Sequence, residues 1–416
     1  MHMSNPWLDK CRALDRYRWL LLRERHGFLG SAMRFARDAA RDWFFGMRAM
    51  RRMATKPQDQ SCDFLLLQST AKVIPLQRKR LLKEALVARG YSLVETALPE
   101  LADMLRQRML CQPPFRIPAR YFGYAAHAQW LVERYQPRIL LNDRNGSLYS
   151  PFLRLALNAR QSPLVHLAHA TTVEGSRRLG MNDYDYYFLF GCSSLEALQE
   201  RALRFGSSTT VLAGSHMIDR TYDLAPADPG LRTLLILGVG PDKEKETGYQ
   251  ATYQLLLDWA RRHSEYRVLI KAHPRSKVPF WVQAAGELSQ LAILPRDCHL
   301  ADALGQASLV VNIMSNAVIE ASLARRPVIY VNASGEQDIF AQERFFGPCV
   351  TTVDVLQARI EVIEREYPDA LRRSQAFAEH HLANGCNGLA SNLDALDALL
   401  KGQPLGNAKR LCSTLE

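Results

Sequence analysis

Short runs that are apolar at every position, each ending in a polar cluster, constrain this chain most. Val268-Leu-Ile270 ends in Lys271-Ala-His-Pro-Arg275, and Leu309-Val-Val311 leads to Ser315 and Asn316. Val328-Ile-Tyr-Val331 follows. A strand with one wet face alternates apolar and polar residues. A run without alternation is buried on both faces, as in a parallel sheet covered by helices. Largely apolar strand candidates recur at Phe64–Leu67, Tyr91–Val94, Arg138–Leu141, Leu164–Leu167 and Tyr186–Phe190, with helical stretches between. The pattern starts again at Leu234–Leu237, after a stretch rich in Pro, Gly and Asp from Gly214 to Pro229. The expected fold class is therefore α/β, with two doubly wound parallel-sheet (Rossmann-like) domains.

The expected division is a basic amphipathic helical extension over 1–60, an N-terminal Rossmann-like domain over 61–220, a C-terminal one over 221–400, and a loose tail over 401–416. A chain of 416 residues has room for two such domains. The eight cysteines are scattered with no Cys-x-x-Cys pair, which argues against a zinc framework or a disulfide scaffold. No metal site is expected, and no cofactor. There is no apolar stretch of about 20 residues for a membrane span, and no secretory signal pattern.

Charge is uneven. Residues 1–60 hold 13 Lys and Arg against 6 Asp and Glu, which is +7 of the net +11. Residues 7–54 read as helix, with arginines interleaved among Trp19, Leu20, Phe28, Phe35, Trp43, Phe44, Phe45 and Met47. Such a helix suits an anionic membrane surface, aromatics inward and arginines at the headgroups. The competing expectation is a helical pair packed on the main domain with its arginine face solvated. Nucleic acid is not expected as a partner, because no recognisable nucleic-acid module follows.

Ligands of open α/β sheets sit beyond the carboxyl ends of the strands. Lys271, His273 and Arg275 share one such end, and Ser315 and Asn316 open a helix at another, with Glu320 a turn later. Cations and a helix N-terminus favour a phosphate. His273 is placed to donate to a phosphate or to protonate it as it leaves. Glu320 is a candidate acceptor for ribose hydroxyls. Gly238 and Gly240 follow the Leu234–Leu237 run and would let the chain pass close to a ligand, with Lys243 nearby. In the N-terminal half, Asn142-Asp143 and Ala168-His169 stand at strand ends. His169 is the candidate general base, Asp143 its rival, and Glu174 a third possibility. His166, inside the strand, reads as structural, and Asp183-Tyr-Asp185 as a loop before a strand.

Lys271-Ala-His-Pro, Ser315-Asn316, Glu320 and Arg326-Pro-Val-Ile-Tyr together resemble the C-terminal half of the CDP-glycerol glycerophosphotransferases and of bacterial capsule sialyl- and Kdo-transferases, within the GT-B glycosyltransferase architecture. His169 with Arg177-Arg-Leu-Gly180 is similar to the Trp-His-Gly-Thr-Pro…Lys-Lys-Leu-Gly segment of the glycerophosphotransferases, and Gly214-Ser-His-Met-Ile-Asp219 to their Gly-x-Pro-Arg-x-Asp. Ala168 and Ala170 replace the Trp and Gly around the family's His, and Asn316 a Ser, which weighs against glycerol phosphate as the transferred group. The resemblance implies a nucleotide-sugar-dependent transferase with facing domains. The donor phosphates would lie on Lys271 and the Ser315 turn. The acceptor would be a cell-surface glycan or a lipid-linked molecule at the cytoplasmic membrane face. The alternatives are a nucleotide-sugar 2-epimerase of the same fold, whose usual Ser-Gly-Gly-x-x-Glu-Glu is Ser315-Asn-Ala-Val-Ile-Glu-Ala here, and a non-enzymatic scaffold.

Overall fold

The computed structural model describes residues 5–54, 57–171, 180–201, 203–406 and 408–413. The chain forms two compact units: residues 1–190, 194–217 and 389–416 make the first, and 191–193 with 218–388 the second. Both are doubly wound α/β folds.

The first unit carries β1 (Phe64–Gln68), β2 (Leu93–Ala97), β3 (Ile139–Asn142), β4 (Leu164–Leu167), β5 (Tyr186–Leu189) and β6 (Ser207–Leu212). The second carries β7 (Thr233–Leu237), β8 (Arg267–Lys271), β9 (Leu291–Ile293), β10 (Leu309–Asn312) and β11 (Val328–Tyr330). The chain ends on β12 (Ala408–Cys412), which belongs to the first unit. The first sheet runs β12-β6-β5-β4-β3-β1-β2, and the second β11-β10-β7-β8-β9. All pairs are parallel except β12 on β6. Strand order reverses between β1 and β3 in the first sheet and between β7 and β10 in the second. Such switch points leave a crevice beyond the strand ends where ligands of these folds bind.

Burial explains the strand runs. β1, β3, β4, β7 and β10 are buried at every position, so each place selects a largely apolar run, with His166 in β4 the one interior polar residue. The edge strands are short or half wet: β2 is partly exposed throughout, and β9 and β11 have three residues each. Short edges resist pairing with other chains. Trp259, Trp281, Tyr249 and Tyr253 are among the large side chains filling the second core, and Phe64, Leu66, Leu141 and Leu167 are part of the first.

Two expectations need correction. The segment 401–416 is not a loose tail throughout, because Ala408–Cys412 pairs antiparallel with β6, Ala408 opposite Val211 and Cys412 opposite Ser207. The helix Gly388–Leu400 does not close the second unit either. From Leu389 on it belongs to the first, where Leu393 and Leu396 join the core and Arg89 pairs with Asp394 and Asp397.

The N-terminal extension is a pair of helices, α1 (Pro6–Arg23) and α2 (Phe28–Met50). Asn5 caps α1 by accepting from the N–H groups of Trp7 and Leu8, both at 3.1 Å. Trp7, Cys11, Leu14 and Tyr17 are buried along it. Lys10 and Arg154 both pair with the fully buried Asp183, and Arg154 also with Asp185. Asp183-Tyr-Asp185 therefore ties helices to the sheet. On α2 the residues Ser31, Asp42, Phe45, Gly46 and Ala49 face inward. A Cβ on Gly46 would collide with the Ala119 carbonyl, so α2 crosses the helix Ala119–Tyr135 at backbone contact distance only because this residue is glycine.

Candidate functional site

In the second unit, the β7 and β8 exits lie against each other. The Gly238 N–H donates to the Lys271 carbonyl at 2.9 Å. A Cβ on Gly238 would sit 3.0 Å from the His273 nitrogen and from the Lys271 oxygen, so a side chain here would have to push the β8 exit back by a few tenths of an ångström. Gly240 differs: no atom lies within 4 Å of where its Cβ would be, which leaves open room beside the chain. The loop after β8 is pinned from below. Buried Glu244 hydrogen-bonds Ser276, whose hydroxyl accepts from the Val278 N–H at 2.9 Å.

Pinning that loop orients His273. Its Nδ1 accepts from the Arg275 N–H at 3.2 Å, which assigns the ring proton to Nε2. Burial, with the Arg275 charge beside it, pushes the imidazole below its usual range. The group is thus a neutral donor beside two cations. Neither Lys271 nor Arg275 has a carboxylate partner among the described residues. Lys243, the other candidate cation, is instead engaged by Glu336 and, at 3.2 Å, by Glu246. Glu336 also accepts from the Tyr249 hydroxyl at 2.5 Å.

Across the switch point, the Ser315 turn is built more tightly than its sequence implies. The Ser315 N–H donates to the Asn312 side chain at 3.1 Å, and the Ala317 N–H to the Ser315 hydroxyl at 3.4 Å. The Val318 and Ile319 N–H groups bond the carbonyls of Ser315 and Asn316. The helix that follows, Ala317–Leu323, has only seven residues. The expected row of free N–H donors is therefore largely spent within the turn, and a phosphate there would share it. Asn312 is held in turn by buried Gln342 at 2.8 Å, which also donates to the Ile313 carbonyl. Arg326, from the resemblance, is structural. It is buried and donates to the carbonyls of Leu304, Ala225, Ala324 and Arg325.

Glu320 stands one turn into that helix. The residue keeps a little contact with solvent, but its carboxyl is crowded by protein on most sides. That desolvation raises the carboxyl from the ordinary 4.5 to about 7, opposed only by its own backbone N–H. Tyr222 is close enough to feel its charge and stacks at a tilt on His299, with ring centres 5.9 Å apart. Among the described residues no cation stands beside it, so the carboxyl has lost water with only its own backbone N–H in return.

In the first unit, the strand ends at the switch point hold a second polar cluster. Asp143 pairs with Lys79, whose side chain is 2% exposed. His166 is fully buried, with Nδ1 at 2.5 Å from the Asn142 side-chain oxygen and its ring stacked on Tyr184, centres 4.3 Å apart. His216, after β6, is also buried and falls to about 3, through desolvation first and then the charges of Lys79 and His169. His169 is the exposed member of this cluster. Lys79 and His216 had no place in the expected site. Glu174, Arg177 and Arg178 lie outside the described residues. No group of three or more metal-ligating side chains occurs among the described residues.

No family model matches the chain, and no curated protein matches it. Solved structures do. A UDP-N-acetylglucosamine 2-epimerase matches at 12% identity and TM-score 0.53, over 83% of this chain and 99% of that one. MurG from Acinetobacter baumannii matches at 12% and 0.50, over 82% and 99%. The MnaA–UDP co-structure from S. aureus matches at 9% and 0.50, over 82% and 99%. At such identities the likeness speaks for the fold, which is GT-B-like.

Proposed function

We propose that the protein is a nucleotide-sugar-dependent glycosyltransferase of the GT-B fold. The observation that carries the reading is the second unit's switch point. Around it the β8 exit carries two cations without carboxylate partners among the described residues and a neutral imidazole with its proton on Nε2, and the helix after β10 carries a desolvated carboxyl. Lys271 and Arg275 would neutralise the donor's phosphates, and His273 would donate to the oxygen on which charge develops as the sugar leaves. Glu320 would accept from the ribose hydroxyls. The open room beside Gly240 suits the passage of the donor. The solved structures named above include one with UDP bound and one of an enzyme acting on UDP-N-acetylglucosamine, which supports a nucleotide sugar as ligand.

The acceptor would be a cell-envelope glycan or a lipid-linked molecule held on the first unit. His169 would take the proton of its attacking hydroxyl. Asp143 is a poorer candidate, because its carboxylate is already engaged by the buried Lys79 ammonium. No metal is called for, since side chains supply the positive charge.

A 2-epimerase is the second reading, favoured by the likeness to an enzyme of that activity. Product analysis separates the two. A transferase releases free nucleotide only when acceptor is present, apart from slow hydrolysis. Conversion of the donor to its 2-epimer without any acceptor would overturn the transferase reading.

A further inference from the structure

The second N-terminal helix carries three faces rather than two. One faces inward and packs on the helix Ala119–Tyr135. Turning about 100° per residue, a second face collects Phe28, Leu29, Met33, Ala36, Ala40, Trp43, Phe44 and Met47. On this face Leu29 is 75% exposed, Met33 69%, Phe44 63%, Phe28 62% and Trp43 46%. Isolated exposed apolar residues are ordinary, whereas a continuous stripe of large ones along one helix marks a contact surface. Arg34, Arg37, Arg41 and Arg48 form the third face, beside the stripe, and all are exposed. From Phe28 to Arg52 there are six arginines, two aspartates and neither Lys nor Glu. Where α1 and α2 adjoin, a recess of about 400 Å³ is lined by Arg18, Arg25, Arg34, Arg37 and His26, with one acid, Asp38.

We propose that α2 is a bilayer-docking helix. It lies in the headgroup layer of an anionic membrane, with its apolar stripe among the upper acyl carbons and its arginines on lipid phosphates. The occupant follows from charge and shape. The stripe is long and narrow and is flanked by cations along its length. That pattern matches a planar anionic surface, where each nearby arginine strengthens binding about fivefold. No helix among the described residues is long and apolar enough to cross a membrane, so the contact is interfacial. A second copy of the chain would place like arginine rows against each other. The proposal adds a location to the functional reading but needs no nucleotide, so the two can fail separately.

The test is sedimentation of the full chain with phosphatidylcholine vesicles, with and without phosphatidylglycerol, at low and high salt. Binding is expected only with phosphatidylglycerol, to weaken with salt, and to shift Trp43 fluorescence to the blue. Leu29→Glu with Met33→Glu should lower binding at least about tenfold, with the melting temperature and nucleotide binding unchanged, because both side chains are mostly exposed. Arg37→Glu with Arg41→Glu should do the same while leaving the stripe intact. Absence of binding to the anionic vesicles would overturn the proposal. So would unchanged binding by the double-glutamate variant, or a stripe-dependent dimer without lipid binding.

Discussion

His169→Ala is expected to slow sugar transfer about 10²–10⁴-fold, the usual contribution of a positioned general base. The apparent affinity for the donor should stay within a few-fold of wild type, because the residues proposed to hold the donor belong to the other unit. His169 is the exposed histidine of a cluster whose other members, His166 and His216, are buried and held neutral by desolvation. The pH–rate profile is the second readout: the limb that titrates the base should vanish in the variant. Asp143→Asn is the control. It leaves the Lys79 cation buried without its partner, so its main effect should fall on thermal stability, with turnover reduced far less than in His169→Ala. Equal turnover in His169→Ala and wild type would remove His169 from the reaction and return the role to Asp143.

Glu320→Gln should move stability and binding in opposite directions. The folded protein holds this carboxyl at about 7 against an ordinary 4.5, so its favourable effect is complete at pH 4.5 and below and is lost as pH rises through 7. At pH 8 the folded state carries a desolvated carboxylate at a cost of about 3 kcal/mol, because a tenfold change in proton affinity between the unfolded and folded chain is worth about 1.36 kcal/mol. The amide removes that cost. The variant should therefore be more stable than wild type at pH 8, by up to about 3 kcal/mol, with the gain fading toward pH 4.5. Nucleotide affinity should fall about tenfold or more, the worth of a hydrogen bond to a charged group. Denaturant melts at pH 4.5, 6 and 8 beside a nucleotide titration measure both. A variant less stable at pH 8 would show that Glu320 has a structural partner, and unchanged affinity would take it out of the ligand site.

The fold was legible because parallel strands buried on both faces are largely apolar, and at β1, β3, β8 and β10 a closing polar residue marks the sheet's carboxyl edge. That is why Lys271, His273, Ser315, Asp143 and His169 could be placed from their order alone. Other features depend on distant partners. Lys79 precedes a helix and reads as a surface lysine; only folding brings it to Asp143, 64 residues on. The Ser315 turn consumes its own N–H groups because of Asn312 and Gln342, a pairing no local pattern announces. β12 is exposed at four of its five positions and has no apolar run to betray it. The two expectations for the N-terminal helices, docked or membrane-facing, assumed two faces. α2 has three, and its inner contact depends on Gly46 meeting the Ala119 carbonyl.

The central claim is that the second unit's switch point binds a nucleotide diphosphate or monophosphate. Thermal denaturation with saturating CMP, CDP, UDP, GDP and TDP tests it most directly, on wild type and Lys271→Ala. A ligand at about 100 times its dissociation constant stabilises by about 2.7 kcal/mol. One selective stabilisation of this size is expected, lost in Lys271→Ala. No shift with any of the five, or a shift that Lys271→Ala leaves intact, would contradict it.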